Sequence, residues 1–361
     1  MQDTTSSRLP PRPLQILRTF KQEKRERRQE TATQKLRERA LLPGEQRDRL
    51  FLEHPIVVDR AYFVTSPIRG SYEQLVTCLT HRDSCRCFVG APRCGKSHAI
   101  EVLRAALSNV FTNLPIISIN AKGHDAHTEK AFFGDLLDDV GLKFESQTTA
   151  FTRRQRFKQY IKTICSREDS SVVMAFVDEA QSWDEEEFTF LRDLANDLIK
   201  FDSITLIVVL LAQSKIVLTR SKLSAADRID LVGRYLRDPI SLFGLQTLSE
   251  LEDVLGQCDD ALAHEYPDYS GICYSEFFLR RAYGSGWRLR SEGAAFWGHL
   301  LEEIGARPGE QVSIGMAWVM SALRDFLFQA TPVDSEDFAS SDSMWEAAAK
   351  CGRYSTLMRA I

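Results

Sequence analysis

Residues Gly90-Ala91-Pro92-Arg93-Cys94-Gly95-Lys96-Ser97 fit the pattern G-x-x-x-x-G-K-[ST] without a mismatch. Glycines in such a loop let backbone N–H groups turn inward around phosphate oxygens, and a helix opening at its end adds positive partial charge. Lys96 then reaches the outer phosphates, Ser97 offers a hydroxyl to a divalent cation, and His98 follows within the phosphate-binding turn. Further along, the apolar run Val172–Val177 ends in Asp178-Glu179. An aspartate at the carboxyl end of a parallel strand beside a phosphate loop can hold Mg²⁺ through its water shell, and the next carboxylate can orient and deprotonate an attacking water. Asp178 is therefore expected at the metal with Ser97, and Glu179 as the base. The adjacent glutamate argues against a small-molecule kinase, which needs no water-activating base.

Two more groups belong to the same chemistry. The apolar run Ile204–Leu211 ends in Ala212-Gln213-Ser214. If its strand lies between the other two, Gln213 faces the terminal phosphate and can sense it or hold the water; otherwise it is a polar strand end in a turn. Arg228, Arg234 and Arg237 stand in DRIDLVGRYLRDP. An arginine there can stabilise transition-state charge at a neighbouring subunit's nucleotide, or it can form ordinary surface ion pairs.

These groups need a scaffold, and the order of elements supplies one. Strands are expected at Cys87–Val89, Pro115–Ile119, Val172–Val177 and Ile204–Leu211. Helices are expected after the phosphate loop through Leu107, around Ala131–Val140, Thr152–Ile164 and Glu186–Ile199. Strands alternating with helices imply an α/β fold, a mostly parallel sheet sandwiched by helices. After Pro239 the spacing is helical: Leu248, Leu251 and Leu255 share a face, with Ser249 and Glu252 as a capping box, and Trp297, Leu300, Leu301 and Ile304 repeat the pattern. Ile314–Phe328 is a further apolar helix. The organisation reads as a basic arm (1–50), an α/β nucleotide-binding domain (51–240), an all-helical lid (241–330) and a tail (331–361).

Composition restricts the class. At 43% hydrophobic and 27% charged over 361 residues, the chain is neither collagen-like nor globally disordered. Its longest apolar run, Leu206–Ala212 within the segment Ile204–Ala212, is seven residues, against roughly 20 for a membrane span. No membrane partner and a cytoplasmic location are expected. The net charge of −4 hides a basic start, where Lys21–Arg28 reads KQEKRERR. Cys78, His81, Cys85 and Cys87 are four potential metal ligands close together, but their spacing departs from zinc knuckles.

The phosphate loop, the strand ending Asp178-Glu179-Ala180-Gln181, the polar strand end at Gln213, and Gly233-Arg234-Tyr235 with its downstream LSELEDVL together resemble an AAA+ ATPase of the initiator-like branch. Within that branch the chain most resembles transposition regulators of the TnsC, TniB and MuB type, over roughly residues 55 to 305. The resemblance implies ATP and Mg²⁺ as cofactors, hydrolysis that times assembly, and Arg234 as the arginine finger ahead of Arg237 and Arg228. It implies a second sensor arginine at Arg288, or Arg290, although Gly284-Ser285-Gly286-Trp287-Arg288 departs from the usual spacing. It also implies partners: the chain itself in hexamer-like or heptamer-like rings or helical filaments, double-stranded DNA, a TniQ-type target-selection protein and a DDE transposase. The alternatives are an initiator or helicase-loader ATPase, and a monomeric signalling or defence NTPase.

Two sets of cations are candidates for DNA. Arg154, Lys158 and Lys162 recur every four residues opposite the apolar face Phe157, Ile161 and Ile164, and can track phosphates or simply be solvated. Lys122, His124, Thr128 and Lys130 occupy the region that resembles the family's DNA-facing insertion.

Overall fold

The computed structural model describes residues 30–92, 94–307 and 309–351. Arg93, the basic run 21–28 and Leu357 lie outside the described residues. The described residues divide into two compact units, one formed by 70–92 and 96–242 and the other by 30–69, 94–95, 243–307 and 309–351.

The first unit is built on five strands: β1 (Cys85–Gly90), β2 (Ile116–Asn120), β3 (Val172–Asp178), β4 (Thr205–Ala212) and β5 (Ile240–Leu242). They run in the order β2-β3-β4-β1-β5, and every neighbouring pair is parallel. Runs such as VVMAFV and LIVVLL have no polar face because a parallel sheet is covered on both sides, and Val173–Val177 are at most 1% exposed. The expected strands fall at the expected runs: β1 and β3 extend by one or two residues, and β2 and β4 each lie one residue further along. β5 was not expected, since three residues reading Ile-Ser-Leu leave no period to recognise. It pairs with β1 only from Phe88 onward.

Helices Lys96–Val110, Glu129–Asp139, Ala150–Arg167 and Glu185–Asp202 accompany the sheet. Thr128 and Thr149 cap the second and third by accepting from the N–H groups of Ala131 and Thr152. Phe157, Ile161 and Ile164 are buried as their spacing requires. Trp183, four residues past Glu179, packs edge-on against Phe132 and Phe188 and pins the segment that follows β3.

The second unit is mostly helical, with helices Leu248–Cys258, Gly293–Ile304, Met316–Ala330 and Asp342–Cys351. In helix Leu248–Cys258 the cap lies two residues before the expected one: Thr247 accepts from Glu250 N–H, and Glu250 reaches back to Gln246 N–H. Thr247 thus makes the cap bond expected of Ser249, while Glu250 accepts from the residue before the cap rather than from the cap itself, so half of the box is formed. The described part of the basic arm and residues 51–69 also pack here, so the boundary expected at 50/51 does not separate the units. Helices Glu30–Leu41 and Glu45–Glu53 bury Ala40, and Arg37 pairs with Glu276 and donates to Gly271 O at 3.0 Å. The amide of buried Gln257 accepts from Val64 N–H at 2.9 Å and donates to Val64 O at 3.1 Å, so one side chain satisfies a backbone as a strand would.

The described tail folds back onto this unit. Trp345 is fully buried, stacked between Phe296 and Phe326 with centroids at 4.4 and 3.7 Å, and its indole N–H donates to Glu292. Trp345→Ala should cost about 3–5 kcal/mol, read as a lowered urea midpoint, while Trp345→Phe should recover much of the loss.

Candidate functional site

In a parallel sheet the carboxyl ends of all strands face one edge, so neighbouring strands bring their terminal residues together. Here β4 lies between β3 and β1. β1 delivers Gly90 and the phosphate loop, β3 delivers Asp178 and Glu179, and β4 delivers Gln213.

The loop leaves β1 at Gly90, and its helix starts at Lys96. Gly95 has φ of +105°, a conformation in which side chains are strained. Ala91 and Pro92 are exposed, Cys94 is buried, and His98 is half-buried in the first helical turn. The Lys96 side chain is turned inward, with the residue only 6% exposed, and its Nζ donates to Gly90 O at 3.2 Å and Ala91 O at 3.0 Å. Among the described residues no carboxylate pairs with it. A buried ammonium held by neutral carbonyls lacks a counter-charge, and the loop therefore fits an anionic phosphate. Ser97 Oγ donates to Asp178 Oδ2 at 2.8 Å. That bond brings together a hydroxyl and a carboxylate, the oxygen donors that suit Mg²⁺.

Beyond Asp178 the backbone kinks. Glu179 has φ of +53°, and its N–H donates to Asp178 Oδ1 at 2.9 Å. A non-glycine residue in the left-handed region costs of order 1–3 kcal/mol and persists where surrounding structure holds it. The Glu179 carboxylate accepts from two amides, Gln213 Nε2 at 3.1 Å and Gln181 Nε2, both at Oε2. Gln181 Oε1 in turn accepts from the backbone N–H of Gln213 at 2.8 Å. Gln213 thus stands beside Glu179. The reading of single residues assigned Gln181 no role, because nothing in a glutamine two positions past an acid marks it as tied to another strand.

The arginines divide by partner. Arg228 is taken up by Glu185, Asp230 and Thr189, all within its own unit. Arg234, on the helix Ile229–Tyr235, donates from Nη1 to Asn196 at 2.7 Å, and Arg237 is exposed beside Asp238. Arg234 and Arg237 line a polar groove of about 560 Å³ with Arg82, Arg86, Asp83 and Asp238, next to the start of β1. In the helical unit, Arg288 donates to the carbonyls of Tyr283 and Trp287 and lies over the Tyr283 ring at 3.8 Å. Arg290 pairs with Asp253 at 3.6 Å.

The cations considered for DNA do not form one surface. Arg154 bridges Glu129 and Asp197, while Lys158 and Lys162 share Asp202 at 3.0 and 2.8 Å. The stripe thus faces the carboxylates of helix Glu185–Asp202. Lys122 and His124 both reach Asp135, Thr128 is the helix cap described above, and the Lys130 residue is exposed. No three of Cys78, His81, Cys85 and Cys87 bring ligand atoms within 4.8 Å of one another. Burial pushes the Cys78 thiol up to about 11 and Cys87 to about 12, which disfavours the thiolate that metals bind.

One further ion pair holds the loop that follows β2. His127 Nδ1 lies 2.6 Å from Glu187 Oε1, and Glu187 Oε2 accepts from Asp184 N–H. The hydrogen bond to Glu187 raises the His127 pKa above 6.5, opposed by partial burial and reinforced by the negative charges of Glu187, Glu186 and Asp184.

The strand order, the phosphate loop after β1 and the acidic pair after β3 define an AAA+ P-loop fold with a mostly helical remainder. Residues 79–217 match the family described as an AAA domain. Among solved structures the chain is similar to the Aeropyrum pernix ORC2 protein in its ADPNP-ADP complexes, at 12% identity over 83% of this chain and 72% of that chain with a TM-score of 0.57. It is similar to the ADP form of the same protein at 13% identity over 84% and 72%, with a TM-score of 0.52. At such identities the likeness is one of fold. No curated protein matches the chain. Among the described residues, no helix is long and apolar enough to cross a membrane.

Two measurements follow from this geometry. Lys96→Ala should abolish nucleotide binding in a fluorescent-ATP titration; wild-type affinity would remove the phosphate-loop assignment. Because His127 binds its proton more tightly in the folded state, its contribution to stability is complete below the unfolded value and fades as pH rises through the folded one. Between about pH 6 and 8, denaturation should therefore show the parent losing more stability than His127→Gln.

Proposed function

We propose that this chain is an ATPase of the initiator type, which binds Mg-ATP at the phosphate loop, assembles with further copies of itself on duplex DNA, and disassembles on hydrolysis. The observation that carries the reading is the meeting of two pairs, Ser97 with Asp178 and Glu179 with Gln213, at the ends of three adjacent strands. Bound Mg²⁺ would draw charge from the phosphates. Lys96 and the loop N–H groups would hold the phosphates, Ser97 and Asp178 would hold the cation, and Gln213 would orient the water. Glu179 would take the water's proton. The fold shared with a protein whose structures carry ADPNP and ADP supports the nucleotide assignment.

Self-association is supported by the arginine-rich groove. In this reading Arg234 leaves Asn196 to meet the anionic phosphates of a neighbouring copy, and Arg237 is second in line. Arg288 would serve as the lid's sensor once freed from the Tyr283 carbonyl, with Arg290 as its substitute. Lys130, which is exposed, is the first candidate for DNA phosphates, followed by Lys122 and His124, which share the single carboxylate of Asp135, ahead of Arg154, Lys158 and Lys162, which Glu129, Asp197 and Asp202 hold. Contacts of this kind are sequence-independent and weaken with salt.

A second reading, regulation of transposition with a TniQ-type protein and a DDE transposase as partners, rests on the motif Asp178-Glu179-Ala180-Gln181 and on Gly233-Arg234-Tyr235. Capture of a replicative helicase or of a transposase by the ATP-bound protein separates the two.

The direct test is negative-stain microscopy with linear duplex DNA, comparing a slowly hydrolysed ATP analogue with ADP. Rings or filaments are expected only with the analogue and DNA. Glu179→Gln should give the same assemblies with ATP itself, and Arg234→Ala should give none. Single particles in every condition would leave a monomeric NTPase in place of the assembling one.

A further inference from the structure

Gln181 is bonded through both the oxygen and the nitrogen of its amide to other parts of the site. Its Oε1 must accept, because the group facing it is the Gln213 backbone N–H, and so its amide nitrogen must point to the Glu179 carboxylate. The orientation is thus dictated by two unlike partners on two strands. Glu179 needs such support: its backbone sits at φ of +53°, and its carboxylate is partly exposed at the strand end. Gln213 adds a second donor to the same oxygen, Oε2, so the two amides clamp one oxygen of the carboxylate.

We propose that Gln181 is a positioning residue for hydrolysis, bracing the Glu179 carboxylate against the end of β4 so that Oε1 meets the attacking water. It touches neither phosphate nor water in this role and acts through Glu179. The inference rests on the reading of Glu179 as the base.

The test is ATP turnover and nucleotide affinity of the full chain for Gln181→Met, Glu179→Gln and the double variant. Methionine keeps the length of the side chain and removes the amide. Gln181→Met should lower kcat about 10- to 100-fold, the loss expected for a hydrogen bond to a charged group, with ATP affinity within about twofold of the parent. In the Glu179→Gln background the same substitution should add nothing, because the group it positions is already disabled. Parent-like turnover of Gln181→Met would overturn the proposal, as would a loss of ATP affinity or a penalty that multiplies that of Glu179→Gln. If Glu179→Gln itself hydrolyses ATP normally, the base assignment falls and this inference with it. If Glu179→Gln is inactive while Gln181→Met is normal, only the inference about Gln181 falls.

Discussion

The position of β4 between β1 and β3 is the constraint on which the site depends. Three parallel strands in that order place the phosphate-loop motif, Asp178 with Glu179, and Gln213 along one edge. The separations are set by inter-strand spacing rather than by loop conformation. In this order Ser97 and Asp178 meet across the end of β4, and Gln213, which follows β4, stands beside Glu179. The apolar runs in β3 and β4 do more than fill a core: burial on both faces locks the register, Val177 opposite Leu210 and Val89 opposite Ala212, that aligns the strand ends.

What could be read in the sequence follows from how local each signal is. The phosphate loop and the acidic strand end carry their chemistry in adjacent residues, and the strands that bear them are unbroken apolar runs. β5 is too short to carry a pattern. The grouping of residues 51–69 with the helical unit rests on Gln257 standing in for a strand at Val64 and on Arg324 holding Ile56 O, contacts between residues far apart in the chain. The stripe at 154, 158 and 162 was legible as three cations on one helix face. Its neutralisation was not, because Asp197 and Asp202 lie on another helix.

Charge in this chain is therefore less available than its count suggests. Arg228 and Arg192 share Asp230 and each takes a further carboxylate, Glu185 and Asp193, while Lys158 and Lys162 share Asp202. Ion pairs of this sort contribute little each to stability, but they fix helix against helix and restrict the cations free to meet an anion. In the arginine-rich groove the balance is different, with four arginines against two aspartates.

The placement of the tryptophans has an optical consequence. Of five in the chain, four (Trp287, Trp297, Trp318 and Trp345) belong to the helical unit, and Trp183 alone belongs to the sheet unit. Trp183 is 4% exposed, wedged against Phe132 and Phe188 at the end of the turn that carries Glu179 and Gln181. With the other four replaced by phenylalanine, its emission would become a native probe of that turn, reporting the packing of the segment beside Glu179 without any attached dye.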